Sequence, residues 1–419
     1  MILERVAPTP VSLDPDGPLA REFLDPRQHL PGRPPLAPAD YVDYERHALF
    51  HDVFLAPDGR AIEAVGPALA NLGRHVLPIE ATLAGFDGRT GRPVGAGAGA
   101  PLAHRTRRRD RVSLHRFALP RALHGREALE LRLAFANGLA VELAVRAGPA
   151  DRAPAPALQV TTIQKDNPIE WIADWLRWLG LVGVDRVLLY DNGSAEATTL
   201  PARLGEALAA VPPPGPLPAV TLVDWPYPYG PPRSYYNRFA QPTQNNHAHR
   251  RFGTAAWTGH FDVDEYPLVG ADPVAAGSLA RWVGRAGPRT ALLRLDSHWA
   301  VDVRDPDPAR GRPSVHALDH RERSSRGRAH KYLVRSRALR YANTHNARLR
   351  LGWAWRHPPV AEACYLHYKP LTTEWRDFAA RGAPEPFDPA RHVEDRRVIE
   401  GLAGGAPAGA AQRPASTSR

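Results

Sequence analysis

Trp257-Thr258-Gly259-His260-Phe261-Asp262-Val263-Asp264-Glu265-Tyr266 runs from apolar and aromatic residues into an abrupt acidic cluster. That is the pattern of a buried strand that surfaces and delivers carboxylates at its C-terminal end, where the ligands of an open α/β sheet sit. Side chains on an extended chain repeat with period two, so Asp262 and Asp264 are expected to point the same way. They would then share one hard divalent cation, Mn²⁺ or Mg²⁺, which takes oxygen ligands and bridges substrate phosphates. Acidic pairs are also common in solvated loops, so the reading rests on the flanking sequence.

Upstream, Leu158-Gln159-Val160-Thr161-Thr162-Ile163 reads as a short buried strand. Asn167-Pro168-Ile169-Glu170 predicts a helix start, with Asn as N-cap, Pro at the first helical position and Glu completing a capping box. Ile169, Ile172, Leu176 and Leu179 form one apolar stripe, and Trp171, Trp175 and Trp178 form another. A helix apolar on two sides lies between layers, so these tryptophans are read as core and not as a platform for a sugar ring. A strand over 184–190 ends in Asp191-Asn192-Gly193-Ser194, and another over 219–225 leads into an aromatic, Pro- and Gly-rich loop over 227–236. A polar helical stretch over 241–251 then feeds the acidic strand. Strands alternating with helices indicate a doubly wound α/β domain. Beyond it, Thr290 to Leu295 is strand-like and exits in Asp296-Ser297-His298. The charged stretch 304–328 reads as a mobile loop, 331–335 and 363–368 as short strands, 386–403 as a C-terminal helix, and 404–419 as a disordered tail.

The first third of the chain has a different texture. Residues 1–38 are proline-rich and aperiodic, an arm or linker. From 39 to 150, short alternating runs such as Leu129-Glu130-Leu131-Arg132-Leu133-Ala134-Phe135, followed by an Asn137-Gly138 turn, predict a β-sandwich-like accessory domain. Its residues 95–99 are expected to form a flexible loop, and Arg107-Arg108-Arg109 a solvated turn.

At 419 residues the chain is long enough for two cores. No apolar run reaches the roughly 18 residues of a membrane span, and the N-terminus lacks the pattern of a secretory signal. A single cysteine, Cys364, excludes an internal disulfide and cysteine-based zinc sites, and fits a reducing, cytoplasmic compartment. The net charge of +10 suits nucleotides, acidic glycans or an anionic membrane surface, yet no basic, aromatic-interleaved stretch marks a nucleic-acid partner. Of the 54 basic residues, only Lys165, Lys331 and Lys369 are lysines. In a chain that defaults to arginine, each marks a place wanting a compact ammonium.

Four pieces in order, Lys165-Asp166 with Glu170-Trp171-Ile172, Gly183-Val184-Asp185 through Tyr190-Asp191-Asn192-Gly193-Ser194, Asp262-Val263-Asp264-Glu265-Tyr266, and His367-Tyr368, resemble family 2-type glycosyltransferases, in the branch close to family 92. The resemblance covers about residues 157–382, within a glycosyltransferase domain expected over 157–385. It implies a GT-A fold, in which a Rossmann-like sheet binds a nucleotide sugar, and Mn²⁺ or Mg²⁺ sits against the diphosphate. Carried onto this chain, it puts Lys165, Asp166, Asp191 and Asp262 at the nucleotide and Asp262 and Asp264 at the metal. His367 is the late histidine of the metal shell, with His345 as its competitor. After Asp296 the aromatic-Gly segment of that branch is not matched.

The expected function is therefore transfer of a sugar from a nucleotide diphosphate, UDP-linked by preference, to a glycan or lipid-linked glycan acceptor, with inversion preferred over retention. Inversion needs a carboxylate that takes the acceptor's proton. Asp296, at a predicted strand exit, is the first candidate, followed by Asp319 and Glu322. A nucleotidyltransferase on a similar metal site, or a decayed enzyme that only binds glycans, are the alternatives. A phosphatase with a nucleophilic Asp-x-Asp would carry that motif on its domain's first strand, whereas here several strands precede it.

Overall fold

The computed structural model describes residues 3–14, 45, 47–95, 99–108, 111–148, 151, 154–230, 239–270, 272–303, 314–324, 326–371 and 385–404. Most of the proline-rich arm, residues 96–98, most of the aromatic loop, part of the 304–328 stretch and the C-terminal tail lie outside the described residues.

Among the described residues the fold is mixed α/β, built on a twelve-stranded mixed sheet. Its parallel half is ordered Leu3–Val6, Ala219–Asp224, Arg186–Asp191, Leu158–Gln164 and Trp257–His260. The strands alternate their side chains between two layers. Val187 and Leu189 face the helices Ile169–Leu181 and Leu200–Ala210, while Leu188 and Tyr190 face the helix Ala240–Arg251. Helices on both faces bear out the alternation read from the sequence. The opening strand Leu3–Val6 was not anticipated: it leaves the expected arm and closes the edge of this sheet, with Arg5 Nε 2.9 Å from Asp224 Oδ1.

The other half of the sheet mixes antiparallel and parallel pairs, which the doubly wound expectation did not foresee. Arg326–Arg335 pairs with both Trp257–His260 and Thr290–Val301. Thr290–Val301 is one long strand, so Asp296 lies within it and not at an exit. Its register shifts between Leu295 and Ser297, and from Asp296 onward it pairs in parallel with Ala363–Tyr368. That strand in turn pairs antiparallel with Glu265–Val269. Strands at His320–Glu322 and from Arg326 replace part of the mobile loop, and the C-terminal segment holds a strand, His392–Glu394, before its helix, Arg397–Ala403.

The tryptophan helix is Ile169–Leu181, and all three tryptophans are buried, as read. Its N-terminus differs from the expected capping box: Pro168 is the N-cap and no side chain caps it. Asn167 instead turns towards Gln164.

The accessory domain is a β-sandwich. One sheet contains Asp52–Leu55, Ala61–Pro67, Val112–Ala118 and Ala103–Arg108, the other Ala140–Arg146, Ala128–Phe135 and Ile79–Leu83. Ile62, Phe117, Leu131, Leu133 and Phe135 from both sheets share one core. Arg107 and Arg108 belong to a strand, which corrects the expected turn.

The helix Ala240–Arg251 carries almost no apolar residues yet is buried between the sheet and the sandwich. Burial of such a helix requires a partner for each polar group. His247 Nδ1 lies 2.7 Å from Tyr190 Oη, and its Nε2 lies 2.7 Å from Asp52 Oδ2 of the sandwich. Arg251 donates to Asp52 at 2.8 Å and to Asp151 at 2.9 Å. Asn246 donates to Ala342 O at 2.7 Å, and Asn245 Oδ1 lies 3.0 Å from His260 Nδ1. His249 and His260 face each other with Nε2 atoms 2.8 Å apart, a spacing that admits a single proton between them.

Burial first, with Arg250 adding, holds the His249 imidazole down at about 3. The folded chain thus refuses a proton that the unfolded chain binds near pH 6.5, so this contribution to stability is complete above about pH 6.5 and shrinks as the pH falls below it. The urea midpoint measured across that window should fall with pH, and less steeply in His249→Gln. An equal slope in both proteins would remove His249 as the cause.

Candidate functional site

The acidic cluster lies at the C-terminal end of Trp257–His260, beside the ends of Leu158–Gln164 and Arg186–Asp191. It is not extended. Val263 and Asp264 form a turn in which Glu265 N donates to Asp262 O at 3.0 Å. The alternation argument for a shared cation therefore fails, and Asp262 and Asp264 take different partners.

Asp262 Oδ2 accepts from Lys331 Nζ at 2.6 Å, and the same ammonium lies 2.9 Å from Glu265 Oε2. Glu265 also accepts from Asp262 N at 2.8 Å, which pins the turn to the following strand. Lys331 and Glu265 are nearly inaccessible, whereas the Asp262 side chain is 39% exposed. Burial opposes the charge on Lys331, but Asp262 and Glu265 outweigh it and keep the ammonium protonated well above its ordinary range. Burial pushes the Glu265 carboxyl up, against the attraction of Lys331.

Asp264 turns to the strand Ala363–Tyr368, whose antiparallel register puts His367 opposite Glu265. Tyr368 N donates to Asp264 O at 2.8 Å, and His367 Nε2 lies 3.2 Å from Asp264 Oδ2. Burial works against ionisation of Asp264, yet His367, Lys369 and Lys331 outweigh it and hold the carboxyl below its usual range. His367 Nδ1 is buried without a hydrogen-bond partner, 3.6 Å from Glu265 Oε1. One ligand atom from each of Asp264, Glu265 and His367 fits within 4.8 Å of the others. Two carboxylates and an orphaned imidazole nitrogen suit a divalent cation. The candidate metal set is thus Asp264, Glu265 and His367. Asp262, expected among the ligands, is engaged by Lys331 instead. Glu265 was passed over in the sequence because its role depends on a pairing with a strand far along the chain.

His345, the competing histidine, lies with Nδ1 3.2 Å from His330 O. Burial first, then Lys331, holds its imidazole down at about 4, and it does not join the Asp264 group. Lys369 places its ammonium over the Trp299 ring, 5.5 Å from the centroid.

The residues expected at the nucleotide lie at neighbouring strand ends. Asp191 pairs in register with Gln164, which donates to its carboxylate, and Ser194 N donates to Asp191 Oδ2 at 3.3 Å. Burial raises the Asp191 carboxyl pKa, with the Ser194 hydrogen bonds pulling the other way. Asp166 adopts a left-handed φ of 51°, donates from its N to Ser194 Oγ at 2.9 Å and accepts from Ala195 N at 2.7 Å. Asp166 and Asp191 therefore tie two loops together, and half-buried Lys165 sits in the bend between them and the tryptophan helix. Beside Asp262 is a small polar cleft lined by Thr161, Ile163, Gln244, His260 and Lys331.

Asp296, expected as the base, is held by His330 Nδ1 at 2.7 Å and His357 Nε2 at 3.0 Å. Leu295 pairs with Lys331, so their neighbours Asp296 and His330 occupy the opposite face of the sheet from Lys331. Asp319 pairs with His320 at 2.7 Å and with Arg396 at 3.4 Å, and Glu322 is buried in His320–Glu322. Among the described residues, the structure brings neither Asp296 nor Asp319 into contact with the Asp264 group.

Removing the ammonium of Lys331 strands a buried carboxylate. Lys331→Met should lower stability by about 3–5 kcal/mol in divalent-free buffer, the usual cost of breaking a buried pair. Added Mn²⁺ should return part of it. Urea unfolding with and without Mn²⁺ measures both, and a variant as stable as the parent would sink this account of Lys331.

No family model and no curated protein matches the chain.

Proposed function

We propose that the chain is a metal-dependent glycosyltransferase of GT-A type that moves a sugar from a nucleotide diphosphate, UDP-linked by preference, to a glycan or lipid-linked acceptor. The carrying observation is the convergence of Asp264, Glu265 and His367 just past the C-terminal end of Trp257–His260, which lies parallel to the strand that leads to Asp166. The sequence resemblance to family 2-type glycosyltransferases supports the same reading.

In that reading Asp264, Glu265 and His367 would hold Mn²⁺ or Mg²⁺, which would supply Lewis-acid neutralisation of a diphosphate leaving group. The chain's own residues prepare the place. Lys331 balances the acidic turn and keeps Glu265 oriented, while Lys369 adds a second positive charge beside Asp264. The Asp166–Ser194–Asp191 linkage fixes the two loops over which a nucleotide would lie. Inversion remains the preferred outcome, with the base unassigned because Asp296 faces away. The same proposal places the protein in the cytoplasm with its basic surface against anionic lipid. No helix among the described residues is long and apolar enough to cross a membrane.

Calorimetric titration with a panel of UDP- and GDP-sugars, with and without Mn²⁺, tests the donor site. Binding should require metal and be lost in Asp264→Asn/His367→Ala, with the nucleotide named by the panel. Folded protein that binds no donor at any Mn²⁺ concentration would end the proposal. Vesicle flotation tests the membrane contact, which is withdrawn if the protein ignores anionic lipid.

A further inference from the structure

We propose that Asp296, His330 and His357 form a second metal site, open to solvent, which takes Zn²⁺ or a similar borderline transition-metal ion in preference to Mg²⁺. The three ligands come from separate segments: the strand Thr290–Val301, the strand Arg326–Arg335 and the loop that follows Ala354–Arg356. His330 Nδ1 and His357 Nε2 reach the same carboxylate oxygen, Asp296 Oδ1, at 2.7 and 3.0 Å. Their rings are 5.0 Å apart and inclined at 79°, so the two nitrogens converge from nearly perpendicular planes. One ligand atom from each residue fits within 4.8 Å of the others.

Metal–ligand bonds of roughly 2.0–2.2 Å in a tetrahedral zinc site put the donor atoms about 3.3 Å apart. The contacts of 2.7 and 3.0 Å need to open by about 0.6 and 0.3 Å to admit the ion. Each imidazole makes its inward nitrogen a ligand by carrying its proton on the other ring nitrogen. Three protein ligands leave a fourth position for water, and side-chain exposures of 15, 24 and 34% for Asp296, His330 and His357 leave a path to it.

The backbone explains why these residues meet. Around Asp296 the antiparallel pairing with Arg326–Arg335 shifts register on one edge of the long strand, while on its other edge the parallel partner changes from Ala354–Arg356 to Ala363–Tyr368. A bulge of this kind re-aims a side chain. The set is also chemically distinct from the Asp264 group. Two imidazoles and one carboxylate favour Zn²⁺, Ni²⁺ or Cu²⁺, whereas two carboxylates and one imidazole accept harder ions. The site lies on the opposite face from Lys331, so the two centres can be loaded separately.

The test is equilibrium dialysis of the full chain against ZnCl₂ in excess Mg²⁺, with Co²⁺ absorption as a second readout of ligand geometry. The parent should retain a single tightly bound Zn²⁺ and show the intense visible bands of a low-coordinate Co²⁺ site. His357→Ala, which alters an exposed loop residue, should weaken Zn²⁺ binding by more than about 100-fold, beyond the effect of losing an outer-shell partner. His330→Gln should do the same, with near-ultraviolet circular dichroism confirming its fold, while Asp264→Asn/His367→Ala should keep the ion. Zn²⁺ retention in His357→Ala equal to the parent's, or no retention in the parent, would overturn the proposal and leave a hydrogen-bonded His–Asp–His cluster.

Discussion

Everything at the acidic turn depends on two hydrogen bonds from the tryptophan helix. Trp175 donates its indole N–H to Glu265 O at 3.0 Å, and Trp178 donates to Pro267 O at 3.2 Å. The strand Glu265–Val269 pairs with Ala363–Tyr368 on one side. On its other side these indoles supply donors that a second strand would otherwise provide. An unpaired carbonyl in that core would cost about 1–3 kcal/mol, so the indoles fix the strand's position as well as filling space. His367 faces Glu265 only in this register, and a slip by one residue would turn every side chain of the pair to the other face.

Charge compensation then decides what the turn can hold. Asp262, Asp264 and Glu265 crowd three carboxylates into four residues, which burial alone would drive towards neutrality. Lys331 and His367 divide that charge between them: Lys331 takes Asp262 and Glu265, His367 takes Asp264. A compact ammonium fits between two carboxylates where a guanidinium fork would need more room. This gives a physical reason for one of the three lysines in an arginine-rich chain. The division leaves His367 Nδ1 without a hydrogen bond, 3.6 Å from Glu265 Oε1.

The parallel half of the sheet was legible because its strands are apolar runs with polar exits, separated by helices of clear period. The tryptophans were legible as core for the same reason. What escaped the sequence depends on pairing. The strand from Thr290 was read as ending at Asp296 because polarity rises there, but it continues by changing partners, and so Asp296 faces His330 and His357 instead of the acidic turn. Glu265 was visible within the cluster, yet its role follows from a strand a hundred residues later. Asp262 and Asp264 do follow the end of a buried strand, and the inference that they act together failed because it assumed an extended chain where Glu265 N and Asp262 O close a turn.

The polar helix Ala240–Arg251 gives the accessory domain a structural bearing on the cleft. Asp52 enters from the sandwich and is fully buried against His247 and Arg251. Burial opposes its charge, but Arg251 and His247 hold its carboxyl below the usual range, so an ionised group anchors the helix from outside the α/β domain. From the same helix, Gln244 donates to Thr161 Oγ1 at 2.5 Å, Asn245 meets His260, and Gln241 reaches Asp262 Oδ1 at 3.4 Å. The cleft wall is therefore set by a helix too polar to be held by hydrophobic burial, and Asp52 and Glu63 of the sandwich are among the groups that satisfy it. Precise placement of Gln241 and Gln244 requires both faces of that helix to be paired, which makes the sandwich part of the scaffold of the site and not an independent module.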